Sequence, residues 1–189
     1  MIKHIRLALF SLLFLFMTAS HLVAQTRDHL TQQEVDLVKE AQILDKRIEV
    51  FVKAVERRMM VINGTATANA KQLKKDSELW GDLPTGSRAE LVGDIARILD
   101  EAITNIDDVS ARDERNPLIA KALRRLAQAV NTTMAQLTPL ATQAKSDGEI
   151  ANFELLNENA KSIVDAAGKL PPPEVDKKAK NKSDKSKDN

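Results

Sequence analysis

The sequence predicts an all-α protein built as an up-and-down four-helix bundle, and three observations carry that expectation. The 189 residues contain five Phe, one Trp and no Tyr, yet 43% are hydrophobic, with only six Gly and six Pro. Helix starts are marked by capping sequences, and between those marks the apolar residues recur at steps of three and four. No stretch sustains the alternation of a half-buried strand.

Taking the starts in order, Thr31-Gln32-Gln33-Glu34, Ser87-Arg88-Ala89-Glu90 and Ser146-Asp147-Gly148-Glu149 each have the form of a capping box. In that motif the hydroxyl accepts from the third helical amide while the Glu reaches back to the cap residue's own N–H. Asn116-Pro117 pairs an N-cap residue with proline at the first helical position. Asn63-Gly64 and Gly168, the latter followed by prolines, read as stops.

The first helix, 32–62, carries Leu37, Ala41, Leu44, Ile48, Phe51, Val55, Met59 and Ile62, a stripe about 46 Å long if unbroken. The second carries Leu91, Ile95, Ile98, Ala102, Ile106 and Val109. The third, 117–146, carries Ile119, Leu123, Leu126, Val130, Thr133 and Leu137, with Pro139 expected to break or kink it. The fourth carries Phe153, Leu156, Ala160, Ile163 and Ala167. Ala66, Ala70 and Leu73 before Trp80 suggest a short extra helix over 66–79, ahead of the turn-rich segment 81–86. Short connections favour antiparallel neighbours, and a long coiled-coil hairpin that dimerises is the competing architecture.

The two ends read differently from the middle. Lys3 and Arg6, an apolar run from Leu7 to Met17 and small residues at Ala19, Ser20 and Ala24 form the pattern of a secretory signal peptide over 1–24, cut after Ala24. The run is too short to span a bilayer, so the expectation is a secreted or periplasmic protein with no transmembrane span after cleavage. An uncleaved anchor is the alternative. Pro171, Pro172 and Pro173 open a segment with six Lys, four Asp/Glu and only Val175 and Ala179 as apolar residues. A tail over 171–189 of that composition is expected to be disordered. The domain between, 25–170, is the expected bundle.

Chemistry is narrowed by what is missing. No cysteine is present, which excludes disulfides, thiolate metal sites, a C-x-x-C-H haem link and a cysteine nucleophile. Beyond the leader, His29 is the sole histidine, too few for Glu-x-x-His di-iron sites, H-E-x-x-H zinc sites or a persuasive Ser/His/Asp arrangement. No cofactor and no catalytic residue is therefore expected. The formal net charge of +1, falling to −1 with the leader gone, argues against nucleic acid. The Asp107-Asp108 and Asp113-Glu114 cluster reads as a solvated helix end.

What remains is a non-catalytic module for protein–protein interaction or envelope structure; a bundle that binds a small ligand is the alternative. Arg57, Arg58, Lys71, Lys74 and Lys75 are the expected contact residues, gathered at one end of the bundle. The partner would be a protein or an anionic envelope component, and a homo-oligomer is open.

Overall fold

The computed structural model describes residues 27–68 and 70–172. The leader and all of the tail beyond Pro172 lie outside the described residues. Within them the protein is all-helical: α1 (Gln32–Glu40), α2 (Leu44–Ile62), α3 (Ala70–Trp80), α4 (Arg88–Arg112), α5 (Pro117–Ala141) and α6 (Asp147–Gly168).

The capping sequences do what their chemistry requires. Thr31 and Ser87 each close a reciprocal box with Glu34 and Glu90. Asn116 accepts from the Leu118 amide, with Pro117 at the first helical position. At α6 only half of the box forms: Ser146 Oγ accepts from the Glu149 amide, but Glu149 turns to the Lys145 amide and to Arg88.

Three boundaries differ from the sequence expectation. The stripe over 32–62 is broken at 41–43, where the chain leaves α1 and restarts α2. Ala41 is held in a non-helical conformation (φ −74°, ψ 82°), and Arg47 Nε donates to its carbonyl at 3.0 Å. Pro139 neither breaks nor divides its helix, because it falls in the last turn before Ala141, where few backbone bonds remain to be lost. The extra helix starts at Ala70, after turns at 66–68, and ends at Trp80, just before Gly81. Gly81 takes φ +64°, a left-handed stop that a side chain would resist.

Helix α4 packs against α2 and α6, and α5 packs against those same two helices. Helices α2 and α6 make no packing contact, and α4 and α5, though consecutive, lean on each other much less. Side-chain pairs give the directions. Asp45–Lys121, Glu49–Arg125 and Asn63–Gln136 advance together, so α2 and α5 are parallel. Arg88–Glu149 and Asn159–Ala96 advance together, so α4 and α6 are parallel. Arg47 meets Asn105 while Arg58 faces Asp94, which makes α2 and α4 antiparallel. The expected rule of antiparallel neighbours thus fails for two of the four close pairs. The short 113–116 link joins helices that are not close neighbours.

One apolar core runs through all four long helices, with Ile48, Phe51, Ile95, Ile98, Leu126, Leu137, Leu156 and Ile163 essentially removed from water. Ala102 and Ala160 belong to this core, where their small side chains let helices approach. At Gly93 the approach is closest: a Cβ built there would lie 2.7 Å from Asn152 Nδ2, the atom that donates to the Ala89 carbonyl at 2.8 Å.

Candidate functional site: a buried arginine junction beside a lysine-bearing helix

Helix α1 enters the fold through a carboxylate. Glu34 is fully buried, the single buried side chain of α1, and it faces Arg57 and Arg58 of α2, each 1% exposed. Its Oε1 accepts from Arg57 Nε at 3.2 Å and Arg58 Nη1 at 2.7 Å. Its Oε2 accepts from Arg58 Nη2 at 2.7 Å and from the Thr31 amide at 2.9 Å. One side chain therefore caps α1 and bridges two buried cations, offsetting one of their two charges.

Each arginine then reaches a different segment. Arg57 Nη2 points at the carbonyls of Trp80, Gly81 and Asp82, and its guanidinium lies 5.7 Å from the Trp80 ring centroid. It pins the α3–α4 loop. Burial lowers the Arg57 pKa, opposed by the Glu34 charge. Arg58 donates to the Ala54 and His29 carbonyls and so holds the strap of residues 27–31. Its Nε is buried with no protein partner.

The strap is bolted further by Arg27, whose Nη2 meets Asp94 at 2.8 Å, and by His29, whose Nε2 lies 2.8 Å from Glu101. Asp94 is fully buried on α4 and also meets Arg97 at 3.2 Å. Burial pushes its carboxyl above the ordinary aspartate range, while Arg27 and Arg58 pull it back down. His29, the one histidine among the described residues, precedes the first helix, and the strap folds it onto α4.

The five residues expected to form one contact surface are thus divided. Arg57 and Arg58 are corrected from surface to interior, because Glu34 and backbone carbonyls draw them in. Lys71, Lys74 and Lys75 are exposed on α3. Sequence reasoning missed Glu34 and Asp94, although a signal existed. Glu34 lies three residues before Leu37, and Asp94 four before Ile98, so both occupy apolar stripe positions.

The outer row of α3 carries Lys71, Lys75 and Leu79 at steps of four, and Leu79 is 59% exposed. Beside it, Leu37, Ala41, Val50 and the half-buried Trp80 line a surface groove of about 530 Å³ between α1, α2 and α3. Asp76, 3.5 Å from Lys53, ties α3 to α2 below this row. A second groove of about 400 Å³ lies between α2 and α5, with Val55, Met59 and Met60 facing Arg125, Gln128 and Gln136.

Asp107, Asp108, Asp113 and Glu114 are all exposed. Among the described residues no three His, Asp or Glu side chains converge as a metal site. No helix among them is long and apolar enough to cross a membrane. No protein-family model matches the chain, and searches of curated proteins and of solved structures found no match.

Proposed function

We propose that this chain is an exported, non-catalytic helical-bundle module that works by protein–protein contact through the outer face of α3, as part of the cell envelope or outside it. In this reading α2, α4, α5 and α6 form one four-helix bundle whose helices alternate in direction along the chain while α4 and α5 sit diagonally, and the strap, α1 and α3 are mounted on its side. The closed circuit of packing, α2 to α4 to α6 to α5 and back to α2, supports that architecture. The observation that carries the functional reading is Leu79, 59% exposed, in one row with Lys71 and Lys75 at the mouth of the Trp80 groove. Lys46, Lys53, Glu40, Glu49 and Asp76 share the groove wall with Leu79 and Trp80, and an exposed apolar centre with a mixed charged rim is the composition of a protein contact surface, to which Lys71 and Lys75 add a cationic flank. Arg57 serves this surface from behind, holding Trp80 and the 80–82 carbonyls in place.

The test is a photo-crosslinking residue placed at position 79 in cells that export the protein, with position 150 on α6, also an exposed large apolar residue, as the control. A discrete crosslinked partner at 79, absent at 150 and lost in Lys71→Glu/Lys75→Glu, is the expected outcome. Equal capture at both positions, or capture that ignores charge reversal, overturns the assignment.

The second reading is a small-ligand-binding bundle, and the α2–α5 groove favours it, since Val55, Met59 and Met60 form an apolar wall opposite the polar side chains of Gln128 and Gln136. Native mass spectrometry of the purified chain tests this. A bound mass that Met59→Glu removes would replace the first reading with the second.

A further inference from the structure

We infer that the strap and α1, residues 27–41, form an exchangeable arm, and that two copies of this chain dimerise by trading it. Helix α1 of each copy then seats its Glu34 between Arg57 and Arg58 of the other.

The first ground is how the arm is attached. Leu30 and Glu34 are its buried side chains, and Val35, Leu37 and Val38 are only half-buried. Most of the attachment is directional and ionic: Arg27 to Asp94, His29 to Glu101, and Glu34 to both arginines. If the arm lifted with nothing in its place, Arg57 and Arg58 would lose the carboxylate that accepts three of their hydrogen bonds, a cost that entering water relieves only in part. Release is therefore tolerable only when an equivalent carboxylate arrives. An arm from a second copy satisfies every one of these contacts at once, because it is the same arm.

The second ground is the hinge. Ala41, Gln42 and Ile43 include no Gly or Pro, and the helical spacing Leu37, Ala41, Leu44, Ile48 runs straight through them. Ile43 stands as N-cap of α2 with no side-chain cap and is 54% exposed. The break is kept by side chains: Arg47 Nε to the Ala41 carbonyl, Arg47 Nη1 to Asn105 at 2.9 Å, and Gln42 Nε2 to the Lys39 carbonyl at 2.6 Å. A continuous helix over 32–62 is the alternative, and it would supply carbonyl partners for the uncapped first turn of α2. In that helix the 23 positions from 34 to 57 span about 35 Å. Glu34 then cannot meet its own arginines and can meet only those of another copy. Exchange leaves every arm contact intact and changes only the hinge.

The test uses the full chain as purified after export, followed by native mass spectrometry before and after refolding at high concentration. Wild type is expected to form dimer on refolding. Ile43→Asp gives α2 a proper N-cap and favours the break, lowering the dimer share by about five-fold for each of its two hinges. Arg47→Ala removes the clasp on Ala41 and raises the dimer share. Light and heavy isotope-labelled dimers should remix slowly, since exchange requires an arm to leave. A chain that stays monomeric in wild type and Arg47→Ala overturns the inference. So does a dimer indifferent to both hinge variants, or one that remixes at once as a simple surface contact would.

Discussion

Replacing Glu34 by Gln is the most informative single change, because it alters charge while keeping shape. The carboxylate accepts four hydrogen bonds, three of them from guanidiniums that are 1% exposed. The amide keeps one acceptor oxygen, but its NH2 must face either Arg58 Nη2 and the Thr31 amide or Arg57 Nε and Arg58 Nη1. Both choices set donor against donor. Two buried cations also lose the carboxylate in direct contact with them, leaving only the more distant Asp94 and Asp76. Removing one partner of a buried pair costs about 3–5 kcal/mol. Lifting α1 to admit water would relieve part of this, so the low end, about 3 kcal/mol, is expected. For a chain of this size that corresponds to a fall in Tm of about 6–12 °C. Urea unfolding measures it, with fluorescence of Trp80, the sole tryptophan, reporting the junction and far-UV circular dichroism reporting the helices. A loss below about 1 kcal/mol would refute the argument that Glu34 is needed to offset buried cationic charge.

Further changes test neighbouring parts of the same reasoning. The triple variant Glu34→Leu/Arg57→Met/Arg58→Leu removes the buried charges together and should be more stable in urea than Glu34→Gln alone by at least about 1 kcal/mol. Gly93→Ala should destabilise by about 1 kcal/mol despite the better helix propensity of Ala, because its Cβ meets Asn152; in an Asn152→Ala background the same change should stabilise, and chemical denaturation of all four proteins closes the cycle. Asp94 is raised by burial, so in the folded state it binds its proton more readily than in the unfolded chain. It therefore costs stability above its raised pKa and gives stability back as pH falls toward 3.8, the ordinary value. Urea midpoints from neutral pH downward should show Asp94→Asn losing ground to wild type as pH falls. Asp45 is lowered chiefly by its hydrogen bond from Lys121 and has the opposite sign. Its contribution is present above the ordinary aspartate pKa and lost as pH falls through the folded one, so Asp45→Asn should cost stability at neutral pH and little in strong acid.

Much of the helical content was legible because its causes are local. A Ser or Thr three residues before a Glu acts within one turn, and Asn116-Pro117 sets its own start. A stripe at helical spacing needs only to know that some apolar partner exists. The same locality explains the misreadings. The break at 41–43 has no signal in residue type: nothing in Glu40-Ala41-Gln42-Ile43 opposes a helix, and the clasp comes from Arg47, itself steadied by Asn105, with Gln42 turned back to the Lys39 carbonyl. Pro139 carried a strong local signal that counted for little, because the helix ends two residues later in any case. At Ser146 the local motif was correct for the hydroxyl, while Glu149 was drawn away by Arg88 from another helix.

The contact site divides along that line as well. Lys71, Lys74 and Lys75 are exposed, as lysines on a marginally apolar helix are expected to be. Arg57 and Arg58 carry the same charge, yet they lie inside.

By itself the sequence determined the all-helical character, most helix ends and the apolar stripes, since these follow from hydrogen bonding and periodicity within a few residues. Only the tertiary structure decided which helices are neighbours, that two close pairs run parallel, and that Arg57 and Arg58 face inward. Those outcomes depend on where a carboxylate 23 residues earlier is carried when the chain turns back. A buried charge is settled by the partner that reaches it through space, and chain distance does not encode that partner.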